Sequence, residues 1–486
     1  MSKRKNKEND IILETLGGSS DDVTGSCWSV SYPKKDGLRG TILIEMGMIQ
    51  RNSTILEEYN LNKNMINKIP IKEAEFVFIA HSHCDHIGNL PALISNGFQG
   101  RVITTKENYE ISKKLLQDAS YIHQRNIEYL RGKGSKVKPL YSDVDTYELF
   151  DRMDVYEDNI IHELNEYISI RYVNNSHVVG AKQLELFIKA PSSVVKKILY
   201  TSDLGSPMNK EFQPFLRDNH IVTKASVCIF ESTYGNSTRS FNKKDAITER
   251  KEMISLITEQ IKNENRVFIP CFSYGRTQNM MVWLYENFKD KSWFNVPVIV
   301  DSKLANEINV VYTKILKGSD LAYWKEVMAW DKFKFIKDYQ STMSVLGKRI
   351  PMVALSSSGM ISAGHSLMYA RSFISDKRDM IIFCGYCGEG TIGSKILDGT
   401  QKTITIDGVV CRKACKIKRF NTWSSHAQQK DLIDYMKQIN CNKIILHHGS
   451  KDSKEELRDE VKKQLNDVNK TTKVVIVEKG YQTILD

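Results

Sequence analysis

Apolar positions along the chain follow two periods. Ile168, Ile170 and Tyr172, and again Leu184, Leu186 and Ile188, recur at every second residue, the period of a strand with one buried face. Phe76-Val77-Phe78-Ile79-Ala80 and Ile198-Leu199-Tyr200 are short continuous apolar runs that predict buried strands. Elsewhere the spacing lengthens to three and four: Ile254, Ile257, Ile261; Leu432, Met436, Ile439; and Leu457, Val461, Leu465, the last set behind a capping box of Ser453 and Glu456. Ile87, Leu90 and Ile94 predict a further helix that ends before Gly97. Strands alternating with amphipathic helices nearly throughout predict layered α/β architecture without internal repeats. Residues 1–16, rich in Lys, Asn and Glu at the start, read as a disordered tail.

Composition narrows this picture. A chain of 486 residues exceeds one ordinary core, so at least two domains are expected. No apolar run is long enough to span a membrane, and the basic N-terminus leads into Asn and Glu rather than an apolar segment, so a cytoplasmic location is expected. Nine scattered cysteines fit reduced thiols better than a disulfide framework. Cys384, Cys387, Cys411 and Cys415 have a loose zinc-site spacing, but the apolar residues before Cys384 favour core thiols. Lys and Arg outnumber Asp and Glu by 69 to 58, which favours polyanionic partners. Basic clusters at 131–138 and 412–419 are either solvated faces or contacts for such a partner.

The candidate chemistry is concentrated at His81-Ser82-His83-Cys84-Asp85-His86, which places four metal-binding side chains within six residues between a predicted strand and a predicted helix. A loop of that kind gathers ligands at one point while leaving coordination positions open, as a catalytic zinc site requires. Further ligands are offered at strand ends by His177, by Asp203 after Ile198-Leu199-Tyr200, and by His448 after Ile444-Ile445-Leu446-His447. A lone His or Asp at a strand end is usually an ordinary polar group; all three together with the loop predict a metal site.

That set resembles the metallo-β-lactamase superfamily. Five further motifs, in order, resemble its nucleic-acid-processing β-CASP branch: Phe230-Glu231-Ser232-Thr233-Tyr234-Gly235, Ile269-Pro270-Cys271-Phe272-Ser273-Tyr274-Gly275-Arg276, Ser357-Ser358-Gly359-Met360, Gly385-Tyr386-Cys387-Gly388-Glu389-Gly390-Thr391 and Ser424-Ser425-His426. The pattern is most similar to the shorter, factor-like prokaryotic ribonucleases of that branch. The resemblance implies an α/β fold: a metallo-β-lactamase αββα sandwich over 17–234 and 408–486, with a β-CASP cap inserted at 235–407 and the active site in the cleft between. It implies two Zn2+ ions, one held by His81, His83 and His177, the other by Asp85, His86 and His448, with Asp203 bridging them. Two ions ~3.5–4 Å apart can activate water and clamp a phosphodiester.

The resemblance also implies roles. His426 would be the general acid, supported by Glu231, and Asp85 would serve catalysis as well as metal binding. His448 occupies a position that is His in RNA-directed members and apolar in DNA-directed ones, so single-stranded RNA is the expected partner, with a homodimer allowed for. Ser357, Ser358 and Gly359 are candidates for holding the phosphate backbone. Glu45 stands where the family has Asp and would orient the metal loop through hydrogen bonds to its ligands; Gln428 and Ser450 also depart from the pattern. His447 reads as a strand residue, and His123, His162, His220 and His365 as surface or packing residues. The expected function is a di-zinc ribonuclease, with endonucleolytic cleavage favoured. A DNA-directed nuclease of the same branch and a catalytically silent RNA-binding scaffold are the rivals.

Overall fold

The computed structural model describes residues 10–18, 23–51, 53–191, 194–467 and 471–485. It divides into two compact units, one of Met1–Lys210, Leu216–Ser240 and Ser425–Asp486, the other of Glu211–Phe215 and Phe241–Ser424. The second unit keeps the chain past 408, because strand Lys416–Phe420 pairs in parallel with Met380–Cys384 in its sheet.

Among the described residues, the first unit contains two seven-stranded sheets. One runs, in spatial order, Gln482–Ile484, Ile12–Gly17, Cys27–Pro33, Arg39–Ile44, Ala74–Phe78, Arg101–Thr104 and Met153–Val155. The other runs Lys473–Ile476, Lys443–His447, Val227–Glu231, Val195–Tyr200, Lys182–Lys189, Ile168–Asn174 and His162–Glu163. The alternation at 168–172 and 184–188 supplies one face of the shared core: Ile168, Ile170, Tyr172, Leu184, Leu186 and Ile188 pack with Trp28, Val30, Ile42 and Phe78 of the other sheet. A separate apolar layer joins Leu432 and Met436 of helix Gln429–Gln438, and Leu457, Val461 and Leu465 of helix Lys451–Asp467, to the outer face of Phe230 and Leu446. This is the αββα sandwich.

The expected tail over 1–16 is corrected in its second half. Residues from Ile12 form a strand whose Leu13 is fully buried and which pairs with both Cys27–Pro33 and Gln482–Ile484, so its apolar residues gain a core. Residues 1–9 lie outside the described residues. The expected helix near 87–94 is two short helices, Cys84–Ile87 and Pro91–Ser95, because Pro91 lacks an amide hydrogen and begins a new helix at its first turn. The capping box at Ser453 and Glu456 is also corrected: the helix starts at Lys451, the Ser450 hydroxyl accepts from the Ser453 amide at 3.3 Å, and Glu456 instead accepts from the Ser237 amide at 2.8 Å.

The second unit carries a six-stranded parallel sheet in the order Phe333–Phe335, Val298–Asp301, Met352–Ser356, Arg266–Pro270, Met380–Cys384 and Lys416–Phe420. Its core includes Phe268, Ala354, Tyr369, Phe373 and Ile381. Cys387 and Cys411 lie in that core, Cys384 is buried against Met253, and none of the chain's nine cysteines is in a disulfide. Among the described residues no helix is long and apolar enough to cross a membrane.

Candidate metal centre

Three adjacent parallel strands of the first unit, Val195–Tyr200, Val227–Glu231 and Lys443–His447, end on the same side of the sheet. Parallel pairing brings their C-terminal ends together, so Asp203, Glu231 and His448 meet although more than two hundred residues separate the first from the last. Across from them, strand Ala74–Phe78 opens into the His81–His86 loop.

Glu45, Ser202 and His448 all have left-handed backbone, with φ of 59°, 51° and 50°. Such conformations cost of order 1–2 kcal/mol for a residue with a Cβ. Each falls just beyond a strand, where the turn swings a polar side chain into the centre.

The described residues contain two clusters of close metal-binding atoms, His81, His83, His177, Asp203 and Asp85, His86, Asp203, His448. Asp203 belongs to both. Its Oδ2 lies 3.7 Å from His81 Nδ1 and 3.8 Å from His177 Nε2, while its Oδ1 lies 3.1 Å from His86 Nε2 and 3.3 Å from His448 Nδ1. His448 Nε2 in turn faces Asp85 Oδ2 at 3.0 Å. Both ring nitrogens of His81 and of His177, together with His86 Nε2, are buried without a hydrogen-bond partner. Buried polar atoms are seldom left so, and each orphan costs ~1–3 kcal/mol. Converging orphans next to carboxylates fit a cation. Charge agrees in the first cluster: burial pushes the His81 and His177 imidazoles well down and His83 to about 4, so these rings are neutral lone-pair donors at neutral pH. In the second cluster burial opposes charge on His86 and His448, but the Asp203 carboxylate and its neighbours outweigh it and raise both, marking a place that favours positive charge. Burial opposes ionisation of Asp85 and Asp203, but the facing histidines hold both carboxyls below the usual range.

A layer of contacts fixes these ligands. Glu45 is fully buried; its carboxylate takes His86 Nδ1 at 2.5 Å, Ser202 Oγ at 3.1 Å and the Tyr200 hydroxyl. Its extra methylene, relative to Asp, reaches three partners. Asn175 donates through Nδ2 to the carbonyls of Thr201 and Asp203, and its Oδ1 accepts from the amides of His177 and Gly205. One side chain therefore locks the His177 segment to the Asp203 segment. Thr233 Oγ contacts His448 Nδ1 at 3.1 Å. The metal loop itself is held by backbone: Ser26 donates to the Asp85 carbonyl, Met46 to His86 and Met48 to Cys84, at 2.8, 3.0 and 2.9 Å. A Cβ on Gly47 would stand 1.7 Å from the Asp85 carbonyl oxygen, so only glycine admits this approach.

His426 is partly exposed, its ring centroid 4.5 Å from that of His177, and its Nδ1 lies 3.2 Å from Glu231 Oε2. Glu231 is buried and also accepts from the Leu204 amide. Burial opposes the imidazolium, the Glu231 carboxylate outweighs it, and His426 is raised to about 9.

Matches to known proteins follow the same outline. Residues 277–396 match the Beta-Casp domain, and 411–476 match the Zn-dependent metallo-hydrolase RNA specificity domain. The chain is 26% identical over 451 residues to the transcription termination factor FttA of Methanococcus maripaludis, covering 89% of this chain and 66% of that protein. It is 25% identical to the endoribonuclease YSH1 of Eremothecium gossypii, covering 92% and 56%, and 23% identical to Integrator complex subunit 11 of Danio rerio, covering 94% and 72%. These matches support the β-CASP branch of the metallo-β-lactamase superfamily as the family of this chain. The β-CASP match lies wholly within the second unit, while the ligand clusters lie wholly within the first. The chain spans about two thirds of the length of that FttA and little more than half of that YSH1.

The sequence-predicted ligands His81, His83, Asp85, His86, His177, Asp203 and His448 are thus brought together in two clusters, with Glu45, Glu231 and His426 beside them. Ser357, Ser358 and Gly359 lie in the second unit, where Ser357 donates to Ser302 Oγ at 2.7 Å and Ser358 Oγ caps the amide of Ser362 at 2.8 Å. His447 is a buried strand residue, its Nε2 3.0 Å from Ser26 Oγ and its ring edge-on to Trp28. Sequence reading assigned no role to Tyr200, Ser202, Asn175 or Thr233. The available signal was their position, each within three residues of a ligand or of Glu231 at a strand end.

Proposed function

We propose that this chain is a zinc-dependent ribonuclease that hydrolyses phosphodiester bonds of single-stranded RNA at the centre in its first unit. The observation that carries this reading is the pair of ligand clusters sharing Asp203, with an imidazole and its carboxylate alongside. His81, His83 and His177 would hold one ion, Asp85, His86 and His448 a second, and Asp203 would serve both. Zinc bound there supplies Lewis acidity toward phosphate oxygens and water of lowered pKa.

The chain's own groups do the rest. His426 carries a proton on Nε2 while Glu231 holds Nδ1, and it delivers that proton to the departing 3'-oxygen as negative charge develops there. Glu231 keeps the ring charged and fixes its direction. Asp85 orients His448 through Nε2. His448, rather than an apolar residue, supports RNA as substrate, and the endoribonuclease among the relatives supports internal cleavage.

The test uses the full chain and an RNA labelled at either end, with zinc or with chelator, beside His426→Ala and a matched DNA. Internal products that vanish with chelator are expected, with the His426→Ala rate lower by about 10²- to 10⁴-fold. Full activity in chelator would overturn the reading, and preferential DNA cleavage would replace its substrate.

A further inference from the structure

The helix Lys106–Gly132 carries an ordered row outside the metal centre. From Tyr109, positions four apart read Tyr109, Lys113, Gln117, Tyr121, Arg125, Tyr129 and, beyond the last turn, Lys133. Four-residue spacing makes each side chain a neighbour of the next, and at 3.6 residues per turn the row winds around the helix by about 40° per step. The cations sit over the rings in register: Lys113 Nζ lies 5.0 Å from the Tyr109 centroid, the Arg125 guanidinium 5.8 Å from Tyr121, and Lys133 Nζ 5.8 Å from Tyr129. The helix buries a different face, through Ile111, Leu115, Leu116, Ile127 and Leu130. Tyr121 and Tyr129 remain 60% and 54% exposed, with Ile122 beside them at 49%.

The row does not end with the helix. Arg131, Lys133, Lys136 and Lys138 follow without an acidic residue from 131 to 138, and Arg131 Nε bonds the Val137 carbonyl at 3.0 Å, folding this run against the helix end. At the opposite end the helix grips the metal loop: Ser82 Oγ donates to Asn108 Oδ1 at 2.7 Å, Ser112 Oγ bonds Ser82 Oγ at 3.1 Å, and Asn108 Nδ2 donates to the Ala80 carbonyl at 3.0 Å. At a helical rise of 1.5 Å per residue, Tyr121 stands roughly 14 Å and Tyr129 roughly 26 Å along the axis from Ser112. The element therefore leads from the metal loop outward.

We propose that this row is a track for single-stranded RNA leading from the metal centre, with Tyr121 and Tyr129 stacking bases and Arg125, Arg131, Lys133, Lys136 and Lys138 holding phosphates. Alternating aromatic faces and cations match a strand whose bases are apolar plates and whose backbone is anionic. The acidic groups along the helix beyond Tyr109, Glu110, Asp118 and Glu128, are outnumbered by the cations of the same stretch and its basic extension. The choice of polynucleotide rests on the ribonuclease reading above.

The test measures binding of a long unstructured RNA to the chelated full chain, which removes cleavage from the readout. Tyr121→Ala with Tyr129→Ala is expected to weaken binding by roughly 5- to 100-fold per lost stack, while Tyr121→Phe with Tyr129→Phe retains it. Lys133→Gln, Lys136→Gln and Lys138→Gln together are expected to flatten the salt dependence by about 0.7 in log–log slope per lost phosphate contact. Zinc-loaded cleavage of a dinucleotide, too short to reach the row, is expected to be unchanged in all of them. Circular dichroism checks the helix, which Ala favours. Affinity and salt slope unchanged in both sets would overturn the track, as would retained RNA affinity with lost binding of polyglutamate, which would assign the row to an acidic protein. RNA binding through the row with no cleavage by the wild type would instead sink the ribonuclease reading and leave the track standing.

Discussion

At the scale of single residues, the ligands and the groups that hold them differ in how they are encoded. His81, His83, Asp85 and His86 are adjacent in sequence, and a dense run of metal-binding types is visible without a structure. Tyr200, Ser202 and Asn175 are ordinary strand-end residues whose value comes from what lies across space. Glu45 shows the consequence: His86, Tyr200 and Ser202 all converge on its buried carboxylate. Glu45→Ala is expected to weaken zinc binding by about 10- to 100-fold, measured by competition with a chromophoric chelator. The pair Glu231 and His426 has a pH signature. A histidine raised to about 9 gives stability that is complete below the unfolded value near 6.5 and lost as pH rises through about 9. In metal-free Glu231→Gln the His426 titration midpoint, followed by NMR, is expected to fall; an unmoved midpoint would remove Glu231 as its cause.

At the scale of elements, periodicity located the strands around 76–80, 168–172, 184–188 and 198–200 and the helices around 254–261, 432–439 and 457–465, and missed where two local signals competed. Ser453 and Glu456 fit a capping box in sequence, yet Ser450 caps the helix and leaves Glu456 to bind the Ser237 amide. The single helix expected after the metal loop is divided at Pro91. The strand from Ile12 was hidden by its polar leader, since its burial depends on partners far along the chain. The return to the first unit was obscured because Lys416–Phe420 alternates too weakly to reveal its parallel neighbour. Connections between elements yield a prediction of their own. Asn175 ties the turn carrying His177 to the turn carrying Asp203 by three hydrogen bonds and braces its own turn with a fourth, from the His177 amide. Asn175→Ala is expected to cost about 1–3 kcal/mol in denaturant unfolding and to lower zinc affinity with it. Loss of stability without loss of zinc would show that the two turns stay aligned by other means.

At the scale of the whole molecule, two cores with separate chemistry allow separate perturbations. Both ligand clusters belong to the first unit, so chelator is expected to lower the calorimetric transition of that unit alone. Zinc at about 1,000 times its Kd contributes about 4 kcal/mol by mass action. In the second unit Arg266 and Arg349 both pair with fully buried Asp379, at 5% and 32% side-chain exposure. Arg266→Met leaves Asp379 with the more exposed partner only and is expected to cost about 3 kcal/mol, lowering the other transition. The layered class, the histidines and aspartates that gather in the two clusters, and the basic balance were legible from one sequence. The surface row of tyrosines and cations was not, because its register shows only once the helix is known to run unbroken from Lys106 to Gly132.

The backbone bonds that hold the metal loop bear on how the protein acquires its metal. Ser26, Met46 and Met48 fix Cys84, Asp85 and His86 through main-chain groups, so the loop's shape depends on sheet formation rather than on a cation. Loading should then resemble filling a finished socket, with a rate first order in free zinc and insensitive to mild denaturant. A finger that folds around its ion would behave in the opposite way.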